Sequence, residues 1–369
     1  NVQSESASSF RGYLIMSLQS TTFNVPPGSQ SVRVRIIDST TRIGNIPLEF
    51  LMEPPMESMK HMPILPAWSF LIEHPSGKKI LYDLGVPRDW HAFAPAVTET
   101  LKGRGWKIEV EEEVIDILEK GGIAASEISS IIWSHWHWDH IGDPSRFPGS
   151  TELIVGPGFK TEFFPGYPAK PDSPVRQSDF AGRNLREIDF RDSVQVGQFQ
   201  GYDFFADGSF YIIDSPGHAI GHIGALARTT TNPDTFIFMG GDLCHHSGEI
   251  RPSKHMHIPQ DIQLRSTIPT SLPCPGALVY QELLIQRTGS IEKPFFRPNM
   301  GLDIKQAMDT IEKAQEADAE SNVWFIYAHD PSLLGNVDLF PLSANEWKKR
   351  NWREKTLWNF LQDLVPAAH

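Results

Sequence analysis

The segment Ser134–His140 carries three imidazoles and one carboxylate within six residues, directly after an apolar run. Imidazole and carboxylate groups at this spacing are typical ligands of zinc and related divalent metals. If the segment is extended, His135 and His137 project to the same side and can bind one ion. The loop that follows would then turn Asp139 and His140 toward a second ion. One short motif therefore predicts two metal ions.

Two complete coordination spheres need more ligands than this segment supplies, including a bridging carboxylate. Three candidates lie downstream, each where an apolar run meets a loop: His218, Asp242 and His329. A Pro-Gly pair precedes His218, which is typical of a tight turn. A Gly-Gly pair precedes Asp242 and would let the backbone approach an ion closely. Four separate strand ends are therefore expected to deliver ligands.

At these positions the chain resembles the metallo-β-lactamase-fold hydrolases, over roughly residues 31 to 330. The motif after the apolar run matches the family's His-x-His-x-Asp-His, and within the family the nearest likeness is to the acyl-homoserine-lactone lactonases. Asp83 matches the early aspartate that supports the family's site from behind. In chain order, the residues that match the family's metal ligands are His135, His137, Asp139, His140, His218, Asp242 and His329.

The resemblance implies a ligand assignment and a reaction. One zinc ion takes His135, His137 and His218, the other takes Asp139, His140 and His329, and Asp242 bridges them. Two such ions lower the pKa of a shared water, so that hydroxide attacks a carbonyl that the metals polarise. Iron, cobalt or manganese would also suit these ligands.

Three further residues are predicted to assist the metal ligands. Asp139, beside the attacking water, is the natural proton carrier to the leaving atom, and it can also serve as a ligand. Asp83 and His222 are expected to hold the ligand imidazoles from behind. For His222 a plain packing role fits the sequence equally well.

One position departs from the lactonase pattern. The lactonases place a tyrosine three residues after the bridging aspartate, where its hydroxyl polarises the substrate carbonyl, but this chain has His245, followed by His246. An imidazole can donate a hydrogen bond in that role, so His245 is a candidate catalytic residue. The alternative is that both are solvated loop histidines. The substitution puts the substrate in question more than the reaction class.

The nearest resemblance favours hydrolysis of a small cyclic ester, a lactone. The first alternative is γ-lactamase-type hydrolysis of an aromatic cyclic amide or carbamate such as benzoxazolinone, because aromatic side chains near the motif would stack on a flat ring. Hydrolysis of an acyl thioester is a further alternative. A non-catalytic binding protein is least favoured, because all seven ligands are intact. The candidate pocket residues are Trp136, Trp138, Phe163 and Phe164.

The resemblance implies an α/β fold, a four-layer αββα sandwich with loop insertions. Residue patterns predict strands from Val32, a hairpin between Trp68 and Asp83, and amphipathic helices at about 303–319 and 345–364. We divide the chain into an N-terminal extension, a single hydrolase domain and two insertions within that domain. The corresponding residues are 1–30 for the extension, 31–369 for the domain, and about 159–190 and 246–300 for the insertions.

Composition suits an enzyme that acts on small molecules. The chain has 369 residues, 40% of them hydrophobic, and a formal net charge of −12, which disfavours nucleic acid as a partner. Cys244 and Cys274 are too few for a disulfide framework, although one bridge stays open. No secretory, lipidation or membrane-spanning signal is visible, so no membrane partner and a cytoplasmic location are expected. Tryptophans expected on the surface of the last helix suggest a homodimer; these are Trp347, Trp352 and Trp358.

Overall fold

Two β-sheets face each other in the computed structural model, which describes residues 23–260 and 277–364. The first sheet has the spatial order β5 (Lys107–Glu109), β1 (Arg33–Gly44), β3 (Leu65–Glu73), β4 (Lys79–Tyr82), β6 (Ile128–Ile132), β7 (Glu152–Val155) and β8 (Leu185–Glu187). The second has the order β15 (Val323–Ile326), β13 (Thr235–Met239), β12 (Ile223–Thr230), β11 (Phe210–Asp214), β10 (Phe199–Asp203) and β9 (Val194–Val196). A small separate pair consists of β2 (Met52–Glu53) and β14 (Arg297–Pro298).

Helices connect and cover these sheets. The α-helices are α1 (Leu48–Leu51), α2 (Pro95–Arg104), α3 (Val114–Lys120), α4 (Trp138–Ile141), α5 (Phe159–Phe163), α6 (Gln177–Phe180), α7 (Ala277–Thr288), α8 (Ile304–Ala319) and α9 (Trp352–Thr356). Short 3₁₀ turns lie at Trp90–Ala92, Ala125–Glu127, Pro144–Arg146, Ser247–Glu249, Pro331–Leu333 and Asn359–Leu364.

Alternation along the strands builds four layers. Successive strand residues point to opposite faces, so Ile72 and Ile80 lie between the sheets while Leu71 packs toward α2 and α3. On the other side, Phe238 of the second sheet packs against α8. The order of layers is therefore helix, sheet, sheet, helix, and the predicted αββα sandwich is confirmed.

Five strands deliver the predicted site residues from their carboxyl ends. β4 and β6 are parallel to each other, as are β13 and β15. β11 runs in the direction of β13, because both are antiparallel to β12. The residues that follow these ends are Asp83 after β4, residues 135–140 after β6, His218 after β11, Asp242 after β13 and His329 after β15.

The hairpin and the helix before the last ligand strand form where the sequence predicts them. β3 pairs with β4 in antiparallel register, and α8 begins after Asp303, whose carboxylate accepts the backbone N–H of Gln306 as an N-cap. The prediction of one helix over residues 345–364 is wrong. That stretch contains only α9 and the 3₁₀ turn Asn359–Leu364.

The tryptophans of this stretch are mostly buried rather than exposed. The Trp347 side chain is fully buried and Trp352 nearly so, and both rings lie 5.9 Å from the ring of Trp324. Packing against Trp324 of β15 therefore accounts for these two rings, which supply no dimer surface, whereas Trp358 is partly exposed and lies beside Phe360. The homodimer stays a prediction without this support.

The predicted extension and insertions are only partly covered by the described residues. Within 159–190 the chain forms α5 and α6 and then β8, which adds a strand at the edge of the first sheet. Of 246–300, residues 261–276 lie outside the described part, as do residues 1–22 and Cys274. Cys244 is buried, and no disulfide partner for it lies among the described residues. Within residues 23–260 and 277–364, no helix is both long enough and apolar enough to cross a membrane.

Replacement of Trp347 by alanine tests the packing of this tryptophan cluster. We expect Trp347→Ala to lower the free energy of unfolding by about 3–5 kcal/mol, because it empties a large buried volume. Urea unfolding with an unchanged m-value would measure this loss. The exposed neighbour Lys348→Ala is the control and should change stability by less than about 0.5 kcal/mol. Equal stability of the two variants would contradict the buried position.

Candidate metal centre

The motif after β6 is not an extended segment, contrary to the prediction. It bends at Ser134–Trp136 and then forms the one-turn helix α4. At this bend the carbonyl of Ser134 accepts the N–H of Ile223 in β12 of the other sheet, and the N–H and hydroxyl of Ser134 bind Asp83. Its backbone N–H donates to Asp83 Oδ1 at 2.6 Å and its hydroxyl to Asp83 Oδ2 at 2.7 Å. The bend nevertheless brings His135 and His137 together.

The first group of ligand atoms contains three imidazole nitrogens and one carboxylate oxygen. Nδ1 of His137 lies 2.8 Å from Nε2 of His135 and 3.0 Å from Nε2 of His218. Oδ2 of Asp242 lies 3.6 Å from Nε2 of His135 and 3.5 Å from Nε2 of His218. These four side chains each offer one atom within 4.8 Å of all the others.

The second group contains Asp139, His140 and His329, which also offer atoms within 4.8 Å of one another. Nε2 of His329 lies 3.5 Å from Oδ2 of Asp139, and Nε2 of His140 lies 3.8 Å from Oδ1 of Asp139. The other oxygen of Asp242, Oδ1, lies 3.2 Å from Nε2 of His140 and 3.1 Å from Nε2 of His329. The structure thus places one oxygen of Asp242 at each group.

The chemistry of these donors fits divalent metal ions. Nitrogens of His135, His137 and His218 converge to 2.8–3.2 Å, although a neutral imidazole has only one N–H to donate. Nε2 of His140 and Oδ1 of Asp242 are buried without a hydrogen-bond partner. Buried polar atoms normally have partners, and cations bound at each group would supply them. Imidazole and carboxylate donors favour zinc and related ions.

Burial keeps the first group's imidazoles neutral. It lowers the pKa of His135 and of His218 well below the usual value, and it lowers the pKa of His137 to about 3. Metal ions bind the neutral imidazole, because the coordinating nitrogen must have a free lone pair. These three side chains are therefore already in the form that a metal requires.

Carboxylates dominate the electrostatics of the second group. Burial disfavours the charged form of His140, yet neighbouring carboxylates, Asp242 foremost, hold its pKa well above the usual value. His329 has a raised pKa for the same reason. Conversely, burial would raise the pKa of Asp242, but His140 and His329 hold it well below the usual value. Asp242 is therefore a buried anion, and a metal cation would replace the protons of its partners.

Asp83 holds His140 from behind, as predicted for its position. Its Oδ2 accepts the Nδ1–H of His140 at 2.8 Å, which leaves Nε2 facing Asp242. Asp83 has φ +59°, a left-handed conformation that aspartate and asparagine tolerate better than most residues. This turn lets both carboxylate oxygens reach the residues after β6.

His222 and His329 are fixed by backbone groups. His222 donates from Nδ1 to the carbonyl of Ser215 at 2.7 Å and accepts the backbone N–H of Asp242 at Nε2, at 3.0 Å. Burial lowers the pKa of His222 to about 4, which keeps Nε2 an acceptor. His329 donates from Nδ1 to the carbonyl of Pro66 at 2.7 Å. His222 therefore positions the backbone of Asp242 and does not contact a ligand imidazole as a hydrogen-bond partner.

The structure separates the two adjacent histidines after Asp242. Nε2 of His245 lies 3.5 Å from Oδ2 of Asp242, and the side chain is buried beside both ligand groups. His246 instead accepts the N–H of Gly248 and lies 3.2 Å from Asp363, near the end of the chain. Neither is a solvated loop histidine, and only His245 faces the site.

A cavity of about 510 Å³ opens onto the ligand groups. Trp136, Trp138 and Phe163 line it, as the sequence predicts. Phe164, the fourth residue predicted for the pocket, does not line this cavity, because its side chain is 48% exposed and stacks on Phe180. Four members of the two groups also line the cavity, together with the neighbouring His245; the four are His137, Asp139, Asp242 and His329.

Part of the cavity wall was not predicted from the sequence. Phe50 and Trp106 line it with ring centroids 5.1 Å apart, and the Trp106 ring lies 6.4 Å from that of Trp138. The guanidinium of Arg104 lies 4.5 Å from the centre of the Phe50 ring. These residues come from α1 and the end of α2, far from the motif in sequence. In the sequence, the only signal that these residues form a binding surface is their aromatic or cationic character.

Similar proteins were found by sequence and by fold. Residues 62–228 match the family model described as the metallo-beta-lactamase superfamily. The gamma-lactamase FDB1 of Fusarium pseudograminearum is 42% identical over 353 residues, which cover 93% of this chain and 84% of that protein. The metallo-hydrolase mfmC of Annulohypoxylon moriforme is 40% identical over 353 residues, which cover 94% and 90%.

The chain belongs to the metallo-beta-lactamase superfamily. It is therefore a hydrolase of that superfamily, and the predicted family is confirmed. Its fold is shared with a crystal structure of AiiA from B. thuringiensis that has N-decanoyl-L-homoserine bound at the active site. That alignment has a TM-score of 0.54 and 17% identity, and it covers 85% of this chain and 99% of the other.

Replacement of Asp83 by asparagine tests how this superfamily member holds its second ligand group. We expect Asp83→Asn to make metal retention by the His140 group about 10–100-fold weaker, because the anionic partner of His140 is lost while the left-handed backbone is kept. Metal content after dialysis against increasing chelator measures the effect. Asp189→Asn, an exposed carboxylate, is the control. Identical chelator sensitivity of both variants would show that Asp83 does not support a metal.

Proposed function

We propose that this protein is a dinuclear zinc hydrolase that opens the ring of a small, flat cyclic amide or carbamate of the γ-lactam class. The observation that carries the proposal is the aromatic cavity that ends at both ligand groups. The 42% identity with a protein named as a γ-lactamase supports the same substrate class. The resemblance in sequence placed a lactone first, and these two observations reverse that order.

The residues divide the work between holding metals and handling the substrate. When bound, the two metal ions would activate a water molecule and polarise the carbonyl group. In this proposal His135, His137, His218 and Asp242 hold one ion, and Asp139, His140, His329 and Asp242 hold the other. Iron, cobalt or manganese would serve the same donors.

Ring opening forms a carbon–oxygen bond with water, breaks the carbon–nitrogen bond and requires a proton at the departing nitrogen. Asp139 lies at the cavity surface within the second group, and burial raises the pKa of its carboxyl group, which suits a proton carrier. His245 reaches the same space with Nε2. We assign proton transfer at the reacting atoms to these two residues.

The aromatic walls bind and orient the ring. Trp106 and Trp138 lie with ring centroids 6.4 Å apart at an interplanar angle of 31°, and Trp136 packs on Phe163 with centroids 5.0 Å apart. Flat apolar substrates gain contact area and favourable ring geometry from such surfaces. With a substrate bound, the same walls would keep bulk water from the carbonyl group.

A lactone is the second candidate substrate. It presents the same carbonyl group to the site and differs only in the departing atom, which is an oxygen. The groups that face the carbonyl do not distinguish the two, so the choice depends on residues near the departing atom and on the fit of the ring.

A substrate panel tests the proposal. Zinc-loaded protein should hydrolyse benzoxazolinone with a kcat/KM at least about tenfold above that for an acyl-homoserine lactone or an acyl thioester, since hydrogen-bonding and shape differences of this size are worth about 1–3 kcal/mol. Asp242→Ala, which removes the carboxylate shared by both groups, is the negative control and should hydrolyse none of these substrates. A preference for the lactone would select the second candidate. No turnover of any substrate by fully loaded protein would refute the proposal.

Trp106→Ala tests the aromatic wall away from the metal ligands. We expect KM for benzoxazolinone to rise about three- to tenfold with a small effect on kcat, because an aromatic contact worth about 0.5–1.5 kcal/mol is lost. Steady-state kinetics at equal metal content measures this. Phe164→Ala is the matched control, because that ring lies outside the cavity, and its KM should not change. Equal KM values for both variants would remove Trp106 from the substrate site.

A further inference from the structure

His245 has a carboxylate behind its ring as well as the metal ligands in front. Nε2 lies 3.5 Å from Oδ2 of Asp242, and Nδ1 lies 3.8 Å from Oε2 of Glu249. Glu249 is not among the residues predicted from the sequence. It lies four residues further along the chain, at the end of the 3₁₀ turn Ser247–Glu249.

Glu249 is 1% exposed and has one oxygen in use and one free of hydrogen bonds. Oε2 accepts the backbone N–H of His245 at 2.6 Å and that of His246 at 3.1 Å. Oε1 of Glu249 and Nδ1 of His245 are both buried without a hydrogen-bond partner. Both atoms therefore lack a partner, and the carboxylate approaches Nδ1 to 3.8 Å, from which a small shift of either side chain would form a hydrogen bond.

We propose that Glu249 is a positioning residue for His245. Its carboxylate takes the Nδ1–H, so that Nε2 is the nitrogen that faces the metal ligands and the substrate. Without such a partner, the proton of a neutral imidazole can sit on either nitrogen, and the ring can flip. Either change alters the nitrogen that faces the metal ligands. The effect of this arrangement on turnover rests on the proposed function, whereas the position of the proton on the ring does not.

A purely structural role for Glu249 makes a different prediction. The residue closes a capping box, in which its side chain accepts the N–H of His246. Glutamine performs the same capping through its amide oxygen. Glu249→Gln therefore keeps the cap and removes the anionic acceptor, whereas Glu249→Ala removes both.

The first test reads the ring directly. In zinc-loaded, ¹⁵N-histidine-labelled protein, the His245 signals are assigned by their loss in His245→Gln. We expect Nδ1 of His245 to carry a proton in the parent protein and its resonance to move in Glu249→Gln, but not in Glu312→Gln, an exposed control. A parent ring without a proton on Nδ1, or an unchanged resonance in Glu249→Gln, would overturn the proposal.

The second test uses the departing atom. Glu249→Gln should lower kcat for benzoxazolinone about 10–100-fold, as is usual when the partner of a functional histidine is removed. Hydrolysis of para-nitrophenyl acetate, whose leaving group needs no proton, should fall far less, and Glu312→Gln should match the parent on both. Equal losses on both substrates, or a loss only in Glu249→Ala, would reduce Glu249 to a capping residue. If the parent hydrolyses neither substrate, the proposed function fails, and the nuclear magnetic resonance measurement still decides the positioning role.

Discussion

The buried carboxylate of Asp242 is the interaction on which the rest of the site depends. Its oxygens lie within 3.6 Å of five imidazole nitrogens, two from each ligand group and Nε2 of His245. A buried anion is costly unless charges or hydrogen bonds compensate for its lost hydration. Each loop that approaches this residue must therefore bring a polar group to a defined position. This requirement restricts the conformations of the loops after β4, β6, β11, β13 and β15 more than packing alone would.

The two ligand groups also join the two sheets. His135 and Asp139 follow a strand of the first sheet, whereas His218 and His329 follow strands of the second, and each group draws on both. A metal ion in either group would thus link the sheets at the edge where apolar packing ends. Binding energy that is released only in the folded arrangement adds to the stability of the fold. Metal binding and folding should accordingly depend on each other in this protein.

The sequence could predict which side chains converge because each follows a strand, where alternation and turn residues are locally encoded. Sequence alone says least where two adjacent residues of the same type face different environments. Phe163 ends α5 and lines the cavity, whereas Phe164 follows in extended conformation and lies outside it. His245 and His246 are divided in the same way by the turn that Glu249 caps. Burial that depends on distant contacts is also hard to predict from sequence. Trp347 is buried against Trp324, a residue 23 positions away in the chain.

Selection between an amide and an ester must come from residues other than the metal ligands. Metal ions act on the carbonyl and the water, which the two reactions share, while the departing nitrogen is the poorer leaving group and depends more on an added proton. The lactonase resemblance predicts a tyrosine where this chain has His245, and the difference changes the hydrogen-bonding chemistry at that point, because an imidazole has two ring nitrogens that can hold or accept a proton and a phenol has one hydroxyl. Once an imidazole occupies this position, its orientation matters in a way that a single hydroxyl's does not. The buried carboxylate of Glu249, 3.8 Å from Nδ1, is the group that would fix this orientation.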